Sequence, residues 1–159
     1  MKKTLTISLI CLLSLGFIEY VNGQNLTNHQ KSLIEKQVDS VFHFMIKAGE
    51  NLDFDILSKG VDDKYHAGFI TNGSYYTQYD SLINWMKTKS QGVTKQSITI
   101  QKEKITVLSD SIVLITAFGV AEIDVSSGNP FTVKFCWSFV YEKINNNWKV
   151  IQSHQSGNR

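Results

Sequence analysis

Between residues 94 and 156 the chain alternates apolar and polar residues in long runs, broken only at Ser109-Asp110, at 126–129 (SSGN) and at Asn145-Asn146. Period-two alternation is strand patterning, and breaks this short leave no room for a crossover helix. Four strands joined by such turns must pair antiparallel, so this part of the chain is a meander with helices available for one of its faces.

The helices precede it. Thr27 and Gln30 form a capping-box pattern ahead of Leu33, Ile34, Val38, Val41, Phe42 and Met45, which share one helical face, and Gly49 is the natural stop. A shorter apolar turn runs from Asp53 through Phe54, Ile56 and Leu57 to Gly60. Asn72-Gly73 signals a tight hairpin between aromatic strands, and a third helix over about 78–90 buries Leu82, Ile83 and Met86. The expected class is α+β: three N-terminal helices on a bent antiparallel sheet of about four long strands plus a short hairpin.

At the N-terminus, Lys2 and Lys3 precede an apolar run, and Val21 and Gly23 are the small residues of a cleavage site. This predicts a secretory signal peptide over 1–23 and one domain over 24–159, secreted or periplasmic, with no stable membrane insertion after cleavage. Cleavage removes Cys11 and leaves Cys136 alone, so no intrachain disulfide forms. It also removes Lys2, Lys3 and Glu19, taking the formal charge from +2 to +1, which offers nothing to attract nucleic acid.

The turns also predict register. If Asn145-Asn146 is a two-residue turn, Tyr141 faces Val150, Phe139 faces Gln152 and Trp137 faces His154. A four-residue loop at 126–129 makes Phe118 face Trp137, and the Ser109-Asp110 turn adds Ile105 and Val107 to the same aromatic face. Ile98 and Ile100 fall out of phase with Ile105 and Val107, which predicts a β-bulge near Lys102-Glu103.

The order of elements, and the ending FVYEKINNNWKVIQSHQS, resemble the nuclear transport factor 2-like superfamily, in its SnoaL-like and ketosteroid isomerase-like branch. The resemblance covers residues 27–156 and implies a cone closed by helices, with the ligand site on the concave face. It implies a pocket lined by Trp137, Phe139, Gln152 and His154, with Phe118 on the same wall and Tyr65, Phe69, Tyr76 and Trp85 from the remaining elements.

His154 is the candidate acid or base. Glu122 shares its face, but strand spacings place the two backbones roughly 16 Å apart. Cys136 lies on the other face, a structural thiol. His29, His43 and His66 show no tight spacing with carboxylates or thiols, so neither a metal nor a cofactor is expected. The primary expectation is binding of a small, largely apolar molecule in an aromatic cavity. The alternatives are an isomerase, cyclase or dehydratase using His154, and a homodimeric interaction module using the outer sheet face, which would carry Lys134, Ser138, Glu142 and Ser153.

Overall fold

The computed structural model describes residues 26–158; the expected signal peptide lies outside them. Helix α1 spans Asn28–Glu50, and the capping box is formed: the Thr27 hydroxyl accepts from Gln30 N while the Gln30 side chain accepts from Thr27 N. Val38 and Phe42, one turn apart, are buried completely, each contributing roughly 1.5–3 kcal/mol of transfer free energy. The helix continues past Gly49 to an Asn51 cap. Helix α2 (Phe54–Lys59) opens on Asp53, whose Oδ1 accepts from Ile56 N at 2.9 Å, and closes on Gly60.

Strands β1 (Phe69–Thr71) and β2 (Ser74–Tyr76) form the expected hairpin, with Asn72 and Gly73 at φ 46° and 81° as its turn demands. Helix α3 spans Tyr79–Lys89; Asp63 Oδ2 accepts from Tyr79 N at 3.1 Å at its start. The long strands are β3 (Val93–Val107), β4 (Ile112–Val125), β5 (Phe131–Ile144) and β6 (Asn147–Asn158). One six-stranded sheet results, in the order β2-β1-β6-β5-β4-β3. Its β1–β6 pairing is parallel and sets Phe69 opposite Ser153. Among the described residues no helix is long and apolar enough to cross a membrane.

The bulge in β3 is present, between Ile100 and Lys102. At the last hairpin Asn145 and Asn146 take φ 48° and 62°, and the predicted register holds from Ile144–Asn147 to Tyr141–Val150. There another bulge intervenes. Ile151 is the extra residue, and beyond it Val140 faces Gln152, Phe139 faces Ser153 and Ser138 faces His154. One inserted residue reverses the side on which every later side chain emerges.

The β4–β5 register also differs from expectation by one residue: Ala117 faces Trp137, Gly119 faces Phe135, and Phe118 faces Cys136. The physical reason is the connecting loop. Pairing stops at Ile123–Phe131 and the connection is five residues long, 126–130, with Gly128 at φ 108°, so the register sets Phe118 opposite Cys136 on the open face.

Candidate functional site

The helix-covered face of the sheet encloses a cavity of about 340 Å³. Register fixes its polarity. Tyr141 and Val150, with Phe42 and Leu57 from the helices, form a buried floor, whereas Lys89, Asn72 and Gly157 at the other end are exposed and form the rim. Between them β5 supplies Val133, Phe135, Trp137 and Phe139, alternate residues on one face, and α1 to α3 supply Met45, Phe54 and Trp85.

Aromatic packing organises the wall. Phe135 and Trp137 stack with centroids 3.7 Å apart and planes 14° from parallel, while Trp137 and Phe139 meet edge to face at 6.1 Å. Phe139 also meets Phe42 of α1 at 5.9 Å, which ties helix to sheet at the floor. Gly119 makes this possible: a Cβ there would collide with Thr99 O and lie 2.8 Å from Phe135 Cζ.

Of the residues singled out from sequence, Trp85, Trp137 and Phe139 line the cavity. The others stand elsewhere. His154 is exposed on the open face opposite Ser138, and Gln152 lies on that face opposite Val140, both displaced by the Ile151 bulge. Phe118 is 43% exposed there. Tyr65 is exposed and donates to Glu142 Oε1 at 3.0 Å, Phe69 is wholly buried against Tyr79, and Tyr76 packs on Trp85 outside the cavity. Ser153, expected outside, is buried on the cavity side.

Sequence reasoning missed the cavity's polar groups. Gln155 and Ser153 replace His154 and Gln152, with Gln155 Nε2 donating to Ser153 Oγ at 3.3 Å. Gln96 and Asn72 join them, one donating to Gly49 O and the other accepting at 2.8 Å from Gly157 N. Tyr79 and Tyr141 also line it. Burial pushes both phenols well above their ordinary range, and Tyr79 adds to the effect on Tyr141, so both stay neutral. Among the cavity-lining residues the single formal charge belongs to Lys89; no carboxylate or imidazole faces inward there.

A second cluster was also missed. Asp39 and His43 are four apart on α1, a helical neighbour spacing visible in the sequence, and Glu103 joins them from β3.

Comparison with known proteins agrees with this architecture. The SnoaL-like domain family matches residues 38–158. A nuclear transport factor 2-like superfamily protein from Salmonella enterica serovar Typhimurium superposes with a TM-score of 0.71 at 13% identity, covering 81% of this chain and 94% of that one. A hexachlorocyclohexane dehydrochlorinase (LinA, type 2) gives 0.70 at 10% identity, covering 84% and 90%. The association domain of C. elegans CaMKII gives 0.66 at 12%, covering 82% and 99%. No curated protein matches the sequence. At such identities the structures share the fold alone, whereas the family match spans most of the chain: the protein belongs to the SnoaL-like domain family, with the cone fold of the nuclear transport factor 2-like superfamily.

Proposed function

We propose that this protein binds a small, largely apolar molecule carrying one anionic group, and that it does so outside the cytoplasm. The apolar, aromatic-walled cavity with Lys89 as its one formal charge carries the reading. The apolar body would lie against Trp137 and Phe139, and the anion would remain at the rim, where desolvating it costs least. At about 30 Å³ per liquid water, the cavity holds the equivalent of about a dozen waters, which suits a compact ligand. The N-terminal pattern of Lys2, Lys3 and an apolar run supports export.

An isomerase, cyclase or dehydratase using His154 loses its geometry, since that imidazole stands on the opposite side of the sheet from the cavity. The open face, with Phe118 and Val140, supports homodimerisation as a further property, and the assembly named for the CaMKII relative is consistent with it. Sedimentation showing a monomer at high concentration would remove that part.

The test is thermal unfolding of the chain with matched carboxylates, alcohols and amines on the same apolar bodies. A carboxylate at about a hundred times its Kd should stabilise by about 2.7 kcal/mol. Lys89→Gln should narrow the preference for the acid over the alcohol by about two- to fivefold, the range of one exposed ion pair. If none of the compounds stabilises the protein, the proposal fails.

A further inference from the structure

Away from the cavity, one cluster of ligating side chains joins two elements of the fold. Asp39 and His43 occupy successive turns of α1, and Glu103 reaches them from β3. His43 Nδ1 lies 3.1 Å from the Asp39 carbonyl oxygen and 3.2 Å from Asp39 Oδ1. A carbonyl only accepts, so Nδ1 is the donor in this contact, and Nε2 is the ring nitrogen turned toward Glu103. Nε2 lies 3.7 Å from Glu103 Oε2. An imidazole whose other nitrogen donates to a carbonyl or carboxylate is held as metal-binding histidines are held.

Glu103 is the unusual member. It stands opposite Ala117, on the helix-covered face that Ile100 and Ile105 occupy on either side of it. Its Oε2 is buried and has no hydrogen-bond donor among the described residues, an arrangement that is costly for an acceptor. The adjacent Asp39 carboxylate adds like charge, and among the described residues no lysine or arginine is paired with either acid. One ligating atom from each of the three residues lies within 4.8 Å of the others.

We propose that Asp39, His43 and Glu103 form a site for a divalent transition cation, with zinc the best fit. The ligands are His43 Nε2 and one oxygen from each carboxylate. An imidazole with two carboxylates suits zinc better than magnesium or calcium, which prefer all-oxygen shells. Zinc bonds of about 2.0–2.1 Å in a tetrahedron put ligand atoms about 3.4 Å apart, so the present cluster needs only a modest contraction. The side chains of Asp39 and His43 are about half exposed, at 46% and 52%, and have the freedom to supply it. Solvent completes the coordination. The cation would give Glu103 Oε2 its missing partner and clamp α1 to the edge strand.

Calorimetric titration of chelator-stripped full chain with zinc chloride tests this, with magnesium and calcium as controls. About one zinc should bind per chain, more tightly than either control, and raise the unfolding midpoint. His43→Ala and Glu103→Gln should each weaken binding by at least about tenfold. His154→Ala, which removes an exposed imidazole elsewhere, should bind as the parent does. The proposal is overturned if zinc shows no saturable binding, or if His43→Ala and Glu103→Gln bind it unchanged. It is also overturned if Glu103→Gln merely stabilises a chain that binds no zinc, because a proton shared with Asp39 then explains the cluster.

Discussion

Trp137 faces Gln155 across the β5–β6 hairpin, and His154 beside it faces Ser138 on the opposite side of the sheet. The aromatic wall and the imidazole therefore belong to different surfaces. His154→Ala should change stability by no more than about 0.5 kcal/mol, as for an ordinary exposed position. Ligand-induced thermal stabilisation should also be unchanged. Trp137→Ala should abolish that stabilisation and destabilise the free protein by about 1–3 kcal/mol, since it removes a stacked, half-buried ring. Parallel thermal melts with and without ligand separate the two residues.

Gly119→Ala should destabilise by about 1–3 kcal/mol, because the new methyl has backbone on one side and the Phe135 ring on the other. Chemical denaturation measures it. A neutral result would mean that β3 and β4 yield at this point, contrary to the contact with Thr99.

Glu50 should make stability depend on acid pH. Its Oε1 accepts from Ile98 N at 2.8 Å, and Lys47 Nζ lies 2.9 Å from Oε2, so the folded state holds the carboxyl below its usual value near 4.5. A depressed carboxylate pKa contributes stability that is present above the unfolded value and is lost as pH falls through the folded one. Glu50→Ala should cost about 1.5–3 kcal/mol at neutral pH, the range for a hydrogen bond to a charged group. The gap between variant and parent should narrow as pH falls below the usual 4.5 and through the lower folded-state value. Urea melts across that range would reveal a gap that failed to narrow.

The Trp148 indole donates to Gln37 Oε1 at 3.2 Å, joining β6 to α1 beside the core. Gln37→Leu leaves that donor without its partner, at a cost of about 1–3 kcal/mol. Trp148→Phe in the same background should recover part of the loss, a coupling that a double-mutant cycle of unfolding free energies would show.

Two bulges show what alternation can and cannot reveal. In β3, Ile98 and Ile100 are visibly out of phase with Ile105 and Val107, so the irregularity between Ile100 and Lys102 was legible. In β6 the residues Trp148, Val150, Gln152, His154 and Ser156 continue a plausible alternation straight through the bulge, leaving only the Val150-Ile151 doublet as a trace. The caps and turns were legible because their chemistry is local: Thr27 with Gln30, Asp53, Asn72-Gly73 and Asn145-Asn146 each satisfy or bend their own backbone. The polar lining was not. Ser153 and Gln155 become cavity residues through one inserted residue, and Asn72 through pairing of β1 with a strand some eighty residues away, which no local pattern encodes.

That distant pairing has a consequence for how the chain acquires its shape. The last strand in chain order is also an interior strand, with β5 on one side and β1 on the other. During synthesis the β1–β2 hairpin emerges while its seat on β6 does not yet exist, so its pairing edge must wait. The β1 edge of the sheet cannot be completed before β6 is made, and the cavity wall that Asn72, Ser153 and Gln155 share is completed with it.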